Sequence, residues 1–206
     1  MFLSDEELLE RSARQARAAR QILERTGILR AWHSIGAEVR PVGSLRMGLM
    51  AKHRDIDLHV YSEYPNPQED FSALSPVAGV PGVERITFDN QMNTEEACLE
   101  WHLYYRNEHD GLWQIDMIHL RRGSRYDGFF ERMADRIVAA LTPETRRAIL
   151  TLKYLTPDTE HISGVEYYRG VLEGGVRTWE QFLLWRETHP LDDIWEWMPE
   201  PSEPEP

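Results

Sequence analysis

The stretch that most constrains this chain runs from Val42 to Leu58. A small turn, Gly43-Ser44, is followed after residues 45–54 by Asp55-Ile56-Asp57, which opens the apolar run Leu58-His59-Val60-Tyr61. Side chains alternate faces along a strand, so Asp55 and Asp57 point one way while Ile56 and Leu58 point into a core. Two carboxylates on one face of a buried strand are costly unless something neutralises them. A hard divalent cation is the usual neutraliser, and Mg²⁺ held by one or two carboxylates plus substrate phosphates suits this spacing. The Gly-Ser turn supplies the complementary half. A small turn leading into a short helix presents backbone N–H groups and a hydroxyl to a phosphate.

A third acid stands further along. Residues 98–106 and 112–120 read as two strands joined by Asn107-Glu108-His109-Asp110-Gly111, a hairpin turn with suitable chemistry. The second strand carries Asp116 amid Leu, Trp, Ile and Met. Such an acid needs a partner: either an arginine across the sheet or a shared metal with the first pair. Glu100 competes for the third position, since it lies on the neighbouring strand and shares a face with His102 and Tyr104.

Val42-Gly43-Ser44, the ten-residue gap and Asp55-Ile56-Asp57-Leu58 together resemble the signature of the polymerase-beta-like nucleotidyltransferase superfamily. The resemblance implies an α/β (α+β) fold: a mixed β-sheet flanked by helices, then a C-terminal helical segment, with a nucleotide cleft between. It implies that Asp55, Asp57 and Asp116 are catalytic metal ligands for Mg²⁺, two ions being expected and Mn²⁺ an alternative. Gly43 and Ser44 would hold the β- and γ-phosphates of an NTP, ATP first among them. Arg46 lies beside the same turn and would be a further phosphate contact. Lys153 is another, although a long side chain on a helix more often lays its stem on apolar surface and keeps its charge in water. The implied reaction moves an NMP from the NTP to a small-molecule or protein acceptor. The alternative is an inactive member of the fold serving as a toxin-neutralising interaction module. Such modules lose an acid or the Gly-Ser pair, and this chain keeps both.

The net charge of −12 bears on partners. Phosphate backbones favour basic surfaces, so nucleic acid is expected to be an unlikely partner, with Lys52-His53-Arg54 and residues 121–125 as local exceptions. A lone cysteine, Cys98, excludes an internal disulfide and a Cys-rich zinc site. The first residues lack a basic segment followed by an apolar one, and no apolar run approaches a membrane span. A cytoplasmic protein is expected.

Elsewhere the pattern is punctuated by caps. Ser4–Glu7 forms a capping box before Leu8, Leu9, Ala16, Ala19, Ile22 and Leu23, and Gly27 ends that helix. Arg11, Arg14, Arg17 and Arg20 form a stripe that reads as a solvated face. Residues 63–82, with four prolines, read as a surface connection holding at most one helical turn. Capping boxes at 124–127, 163–166 and 178–181, and Thr142-Pro143, open four helices in the second half. Tyr167, Tyr168 and Trp179 read as core, and His59 and His119 as satisfied histidines. The expected organisation is a catalytic α/β unit over 1–122, a helical region over 123–198 and a disordered acidic, proline-rich tail over 199–206.

Overall fold

The computed structural model describes residues 3–190 and 196–200. The chain begins with α1 (Asp5–Thr26), capped as its sequence requires: the Ser4 amide donates to the Glu7 carboxylate at 2.7 Å, and the Glu7 amide to Ser4 Oγ at 3.3 Å. Gly27, at φ 67°, ends α1 and starts α2 (Ile28–Ser34) without a break. That left-handed conformation carries no steric cost for glycine alone.

Five strands follow among the described residues: β1 (Glu38–Pro41), β2 (Asp55–Ser62), β3 (Val83–Asn90), β4 (Cys98–Asn107) and β5 (Gly111–Arg121). They form one sheet in the order β1-β2-β5-β4-β3. Only β2 and β5 pair in parallel, so the sheet is mixed. The short helix α3 (Gly43–Met47) bridges β1 and β2. One face of the sheet buries Ile56, Leu58, Trp101, Trp113 and Ile115 against Ile22, Ile28 and Trp32 of α1 and α2 and Leu74 of α4 (Pro67–Ala78). Beyond the sheet come α5 (Phe129–Ala140), α6 (Pro143–Leu155), α7 (Gly164–Leu172) and α8 (Trp179–Thr188). These helices share a second apolar cluster with Met47 and Leu49, which lie beside the Gly-Ser turn. The α/β fold with flanking helices is as the sequence implied. Among the described residues, no helix is long and apolar enough to cross a membrane.

Two local expectations fail for physical reasons. Residues 67–78 are a helix, α4 (Pro67–Ala78), rather than a surface connection. Pro67 occupies the first turn, where its missing N–H has no partner to lose. Asn66 caps the start by accepting from Gln68, and Ala73, Leu74 and Val77 are buried on one face. The second is at 124–127, where a turn replaces the capping box. Asp127 turns back to accept from the Gly123 amide at 2.8 Å, and α5 starts after Gly128 in the left-handed region, with no side-chain cap. Of the tail expected to be disordered, only Pro199 and Glu200 lie within the described residues, and the Pro199 carbonyl accepts from Arg136 Nη1 at 3.5 Å.

A buried polar group fixes α4 to the sheet. Asp70, fully buried, accepts from Trp101 Nε1 at 3.1 Å and lies 3.0 Å from His119 Nδ1; His119 Nε2 lies 2.8 Å from Ser62 Oγ. Asp70→Ala leaves two buried donors unpaired. It should cost about 3 kcal/mol in urea unfolding, against about 1 kcal/mol or less for Ser62→Ala. A loss under about 1 kcal/mol for Asp70→Ala would show that α4 is held by its apolar face alone.

Candidate active site

The two apolar/polar faces of β2 follow its sequence. Ile56, Leu58 and Val60 are fully buried on one, and Asp55 and Asp57 emerge half-buried on the other. Strand β5 runs beside β2 in parallel, with Asp55 opposite Gln114 and Asp57 opposite Asp116. Adjacent strands lie about 4.8 Å apart, so three acids share one small area of one sheet face. Asp116 stands next to the pair in register. Glu100 does not: it faces Ile118, and His102 stands between it and Asp116.

The electrostatics follow from this crowding. Asp57 is pushed up to about 7, first by burial and then by the like charges of Asp55 and Asp116, with Lys153 pulling the other way; among the described residues none donates a hydrogen bond to its carboxylate. Asp116 is differently served. Gln114 Nε2 donates to its Oδ1 at 2.8 Å, and His102 Nδ1 approaches the same oxygen at 2.5 Å. His102 Nε2 in turn lies 3.1 Å from Glu100 Oε1, and Gln91 Nε2 donates to Glu100 Oε2 at 3.1 Å.

The Gly-Ser turn abuts the acids. A Cβ on Gly43 would fall 2.1 Å from Asp57 Oδ2, and Gly43 has φ 56°, so both space and backbone demand glycine there. Ser44 follows in α3. Its Oγ accepts from Lys153 Nζ at 2.6 Å and lies 3.1 Å from the Tyr168 hydroxyl. Lys153 Nζ also donates to the Leu49 carbonyl at 3.2 Å and to Tyr168 Oη at 3.3 Å. The Lys153 side chain is therefore buried with its charge at the turn, which corrects the solvated reading. Helix α6 carries it there because Ile149 and Leu152, on the same helix, anchor the second apolar cluster.

Arg46 goes elsewhere. Its guanidinium makes a two-point pair with the Asp135 carboxylate on α5, at 2.9 Å and 2.9 Å. Nothing near Arg46 in sequence announced that partner. His59 is buried, held near 4 by burial, and packs on Phe130 with its Nδ1 3.2 Å from the Tyr61 hydroxyl. His119 lies on the opposite sheet face, in the Asp70 group. The partners of Asp116 were legible in principle. Asn107 opposite Gly111 sets a register that places His102 opposite Asp116. The Tyr168 hydroxyl was missed because its ring is core, and the sequence carries no sign of where the polar tip points.

Among the described residues, no three His, Cys, Asp or Glu side chains already converge as a ligand set. The donors nevertheless fit a hard cation. The Asp55 and Asp57 side chains offer only oxygen, Asp57 bears a like-charge load that Lys153 opposes without cancelling, and Gly43 leaves room beside its carboxylate at the turn.

No protein-family model matches the chain, and no curated protein matches it in sequence. Solved structures do match. A Cid1 poly(U) polymerase with MgGTP bound aligns with TM-score 0.54 and 17% identity, covering 77% of this chain and 50% of that one. A Cid1 structure described for its RNA terminal uridylyl transferase activity aligns with TM-score 0.53 and 18% identity, over 77% and 47%. A cytoplasmic RNA terminal U-transferase aligns with TM-score 0.51 and 17% identity, over the same shares. The chain spans about half the length of the structures it matches. These neighbours overturn the expectation that nucleic acid is an unlikely partner. Net charge sums the whole surface, whereas a groove for a polyanion needs only local positive potential. The sheet order and the solved neighbours together give this chain the polymerase-beta-like nucleotidyltransferase fold.

Proposed function

We propose that this chain is a nucleotidyltransferase that moves a nucleoside monophosphate from an NTP, ATP being tested first, to an acceptor hydroxyl. The observation that supports it is the meeting of two opposite chemistries at one spot. Three acids stand on adjacent strands, and a buried lysine stands on the serine of the turn beside them. Asp55 and Asp57 would hold Mg²⁺, with Asp116 completing the set, and such an ion would supply charge neutralisation at the phosphates and a more nucleophilic acceptor oxygen. Lys153, Ser44 and the Gly43 backbone hold the triphosphate tail, replacing their present contacts with phosphate oxygens. The acceptor oxygen attacks the α-phosphorus, the bond to pyrophosphate breaks, and Asp116 takes the acceptor's proton. Gln114 and His102 orient Asp116 for that transfer. A small molecule, a protein side chain and an RNA 3′ end all present a suitable hydroxyl. Labelled ATP or UTP offered with each acceptor in turn distinguishes them by which species gains label.

Asp57→Asn should cut turnover by at least about 100-fold, with Mg²⁺ no longer raising the thermal midpoint. Unchanged turnover with Mg-ATP in that variant would reject the assignment. Lys153→Ala should raise the KM for NTP by roughly tenfold or more with a smaller change in kcat; the reverse split would remove Lys153 from the phosphate site.

Stability without metal should carry the same signature. The folded-state value of Asp57, about 7, lies above its ordinary 3.8. The native state therefore binds more protons than the unfolded one between those limits, and metal-free stability falls as pH rises from about 4 to about 7. Asp57→Asn should flatten that fall in chelator-treated protein, and Mg²⁺ should reverse it in the wild type. Identical pH profiles for the two proteins would show that Asp57 titrates normally.

A further inference from the structure

The sheet face opposite the acids carries a second chemical arrangement. Ser62 ends β2, and its parity places it on the face away from Asp57. Its Oγ lies 2.8 Å from His119 Nε2. His119 Nδ1 lies 3.0 Å from both carboxylate oxygens of Asp70. Asp70 has no exposure and is held in turn by the Trp101 indole N–H at 3.1 Å. The edge of Trp32 packs on the imidazole at 5.3 Å and fixes its plane. With Asp70 accepting at Nδ1, neutral His119 keeps its lone pair on Nε2, facing the serine hydroxyl. That is the polarity of a nucleophile, a base and an orienting acid.

The serine is also reachable. His119 and Asp70 are buried, whereas Ser62 is only half-buried and lines an open cavity of about 550 Å³. Ile35, Gly36, Tyr64, Asn66 and Glu69 form other parts of its wall. The N-terminus of α4 opens onto the same cavity through Asn66 and Pro67, and the positive end of the helix dipole there favours developing negative charge. Glu63 and Glu69 also line it, which disfavours a polyanion such as a nucleotide.

We propose that Ser62 is the nucleophile of a second, acyl-transfer site, taking neutral or cationic esters of small carboxylic acids. Ser62 Oγ forms a bond to the acyl carbon as its proton passes to His119 Nε2. The bond from that carbon to the leaving oxygen breaks, and the leaving oxygen takes the proton from Nε2. Water repeats the sequence, releasing the carboxylic acid and restoring Ser62. His119 is the base, and Asp70 is a positioning residue. The site is independent of the nucleotidyl-transfer reading, because it lies on the other sheet face and shares no residue with it.

The test treats the full chain with a fluorophosphonate probe and maps the adduct by peptide mass, alongside hydrolysis of p-nitrophenyl acetate. A single adduct at Ser62 is expected, forming at least about 100-fold faster than in the urea-denatured chain, the scale that a positioned base supplies. Ser62→Ala should lose the adduct and the ester hydrolysis while keeping its circular dichroism and any Mg-NTP reaction. Asp57→Asn should keep the adduct. No adduct above the denatured control, adducts spread over several serines, or equal labelling of Ser62→Ala would each overturn the proposal.

Discussion

Strands β2 and β5 run parallel and in register, and that pairing forces Asp57 against Asp116 at the spacing of adjacent strands. Burial first, and then the like charges of Asp55 and Asp116 at such a distance, raise Asp57 to about 7. The rest of the site answers that repulsion. Gly43 gives the carboxylate room that any other residue would fill. Lys153 brings a positive charge from α6, and Gln114 and His102 donate to Asp116. A fold seeking stability alone would not place three acids there. Strain of this kind persists at functional sites because a ligand relieves it.

The second helical cluster matters for the same reason. Lys153 can stand on Ser44 only if α6 is fixed relative to α3, and Met47 and Leu49 fix it by packing among Ile137, Ile149 and Leu152. A second tie lies further along β2. The Tyr61 hydroxyl sits 2.9 Å and 3.0 Å from the two oxygens of buried Glu131 on α5, and accepts from the Gly128 amide at 3.3 Å. The Arg46–Asp135 pair is a third tie, this one directly from α3 to α5. Turn, sheet and helices are thus locked by contacts of three different kinds.

What the sequence disclosed tracks the range of the physics involved. Alternation along β2 needs only nearest neighbours, so the facing of Asp55 and Asp57 was legible, as were the capping boxes at Ser4, Ser163 and Thr178. The hairpin at Asn107–Gly111 made β4 and β5 legible as a pair, and with them the crossing of His102 by Asp116. Long-range matters were not. The buried end of Lys153 depends on a turn more than a hundred residues earlier in the chain, and Arg46 is claimed by an acid almost as distant. Helix α4 was hidden because proline was counted as a breaker, although Pro67 stands where a helix begins and only Pro76 lies inside it. Net charge misled for another reason: it averages over a surface on which Lys52, His53 and Arg54 lead directly into the acid-bearing strand.

The two sheet faces also differ in how they hold polar groups. On the Asp57 face burial and the neighbouring acids leave Asp57 raised to about 7, so added positive charge would be taken up there. On the opposite face Asp70 is fully enclosed, and its charge is met by an indole and an imidazole already in place. A completed buried network resists rearrangement, because every displaced member leaves another unsatisfied. An incomplete one invites a ligand. The same strand, β2, contributes to both: Asp57 to the face that waits for charge, and Ser62, five residues on, to the face where only the last member of a satisfied chain reaches the solvent.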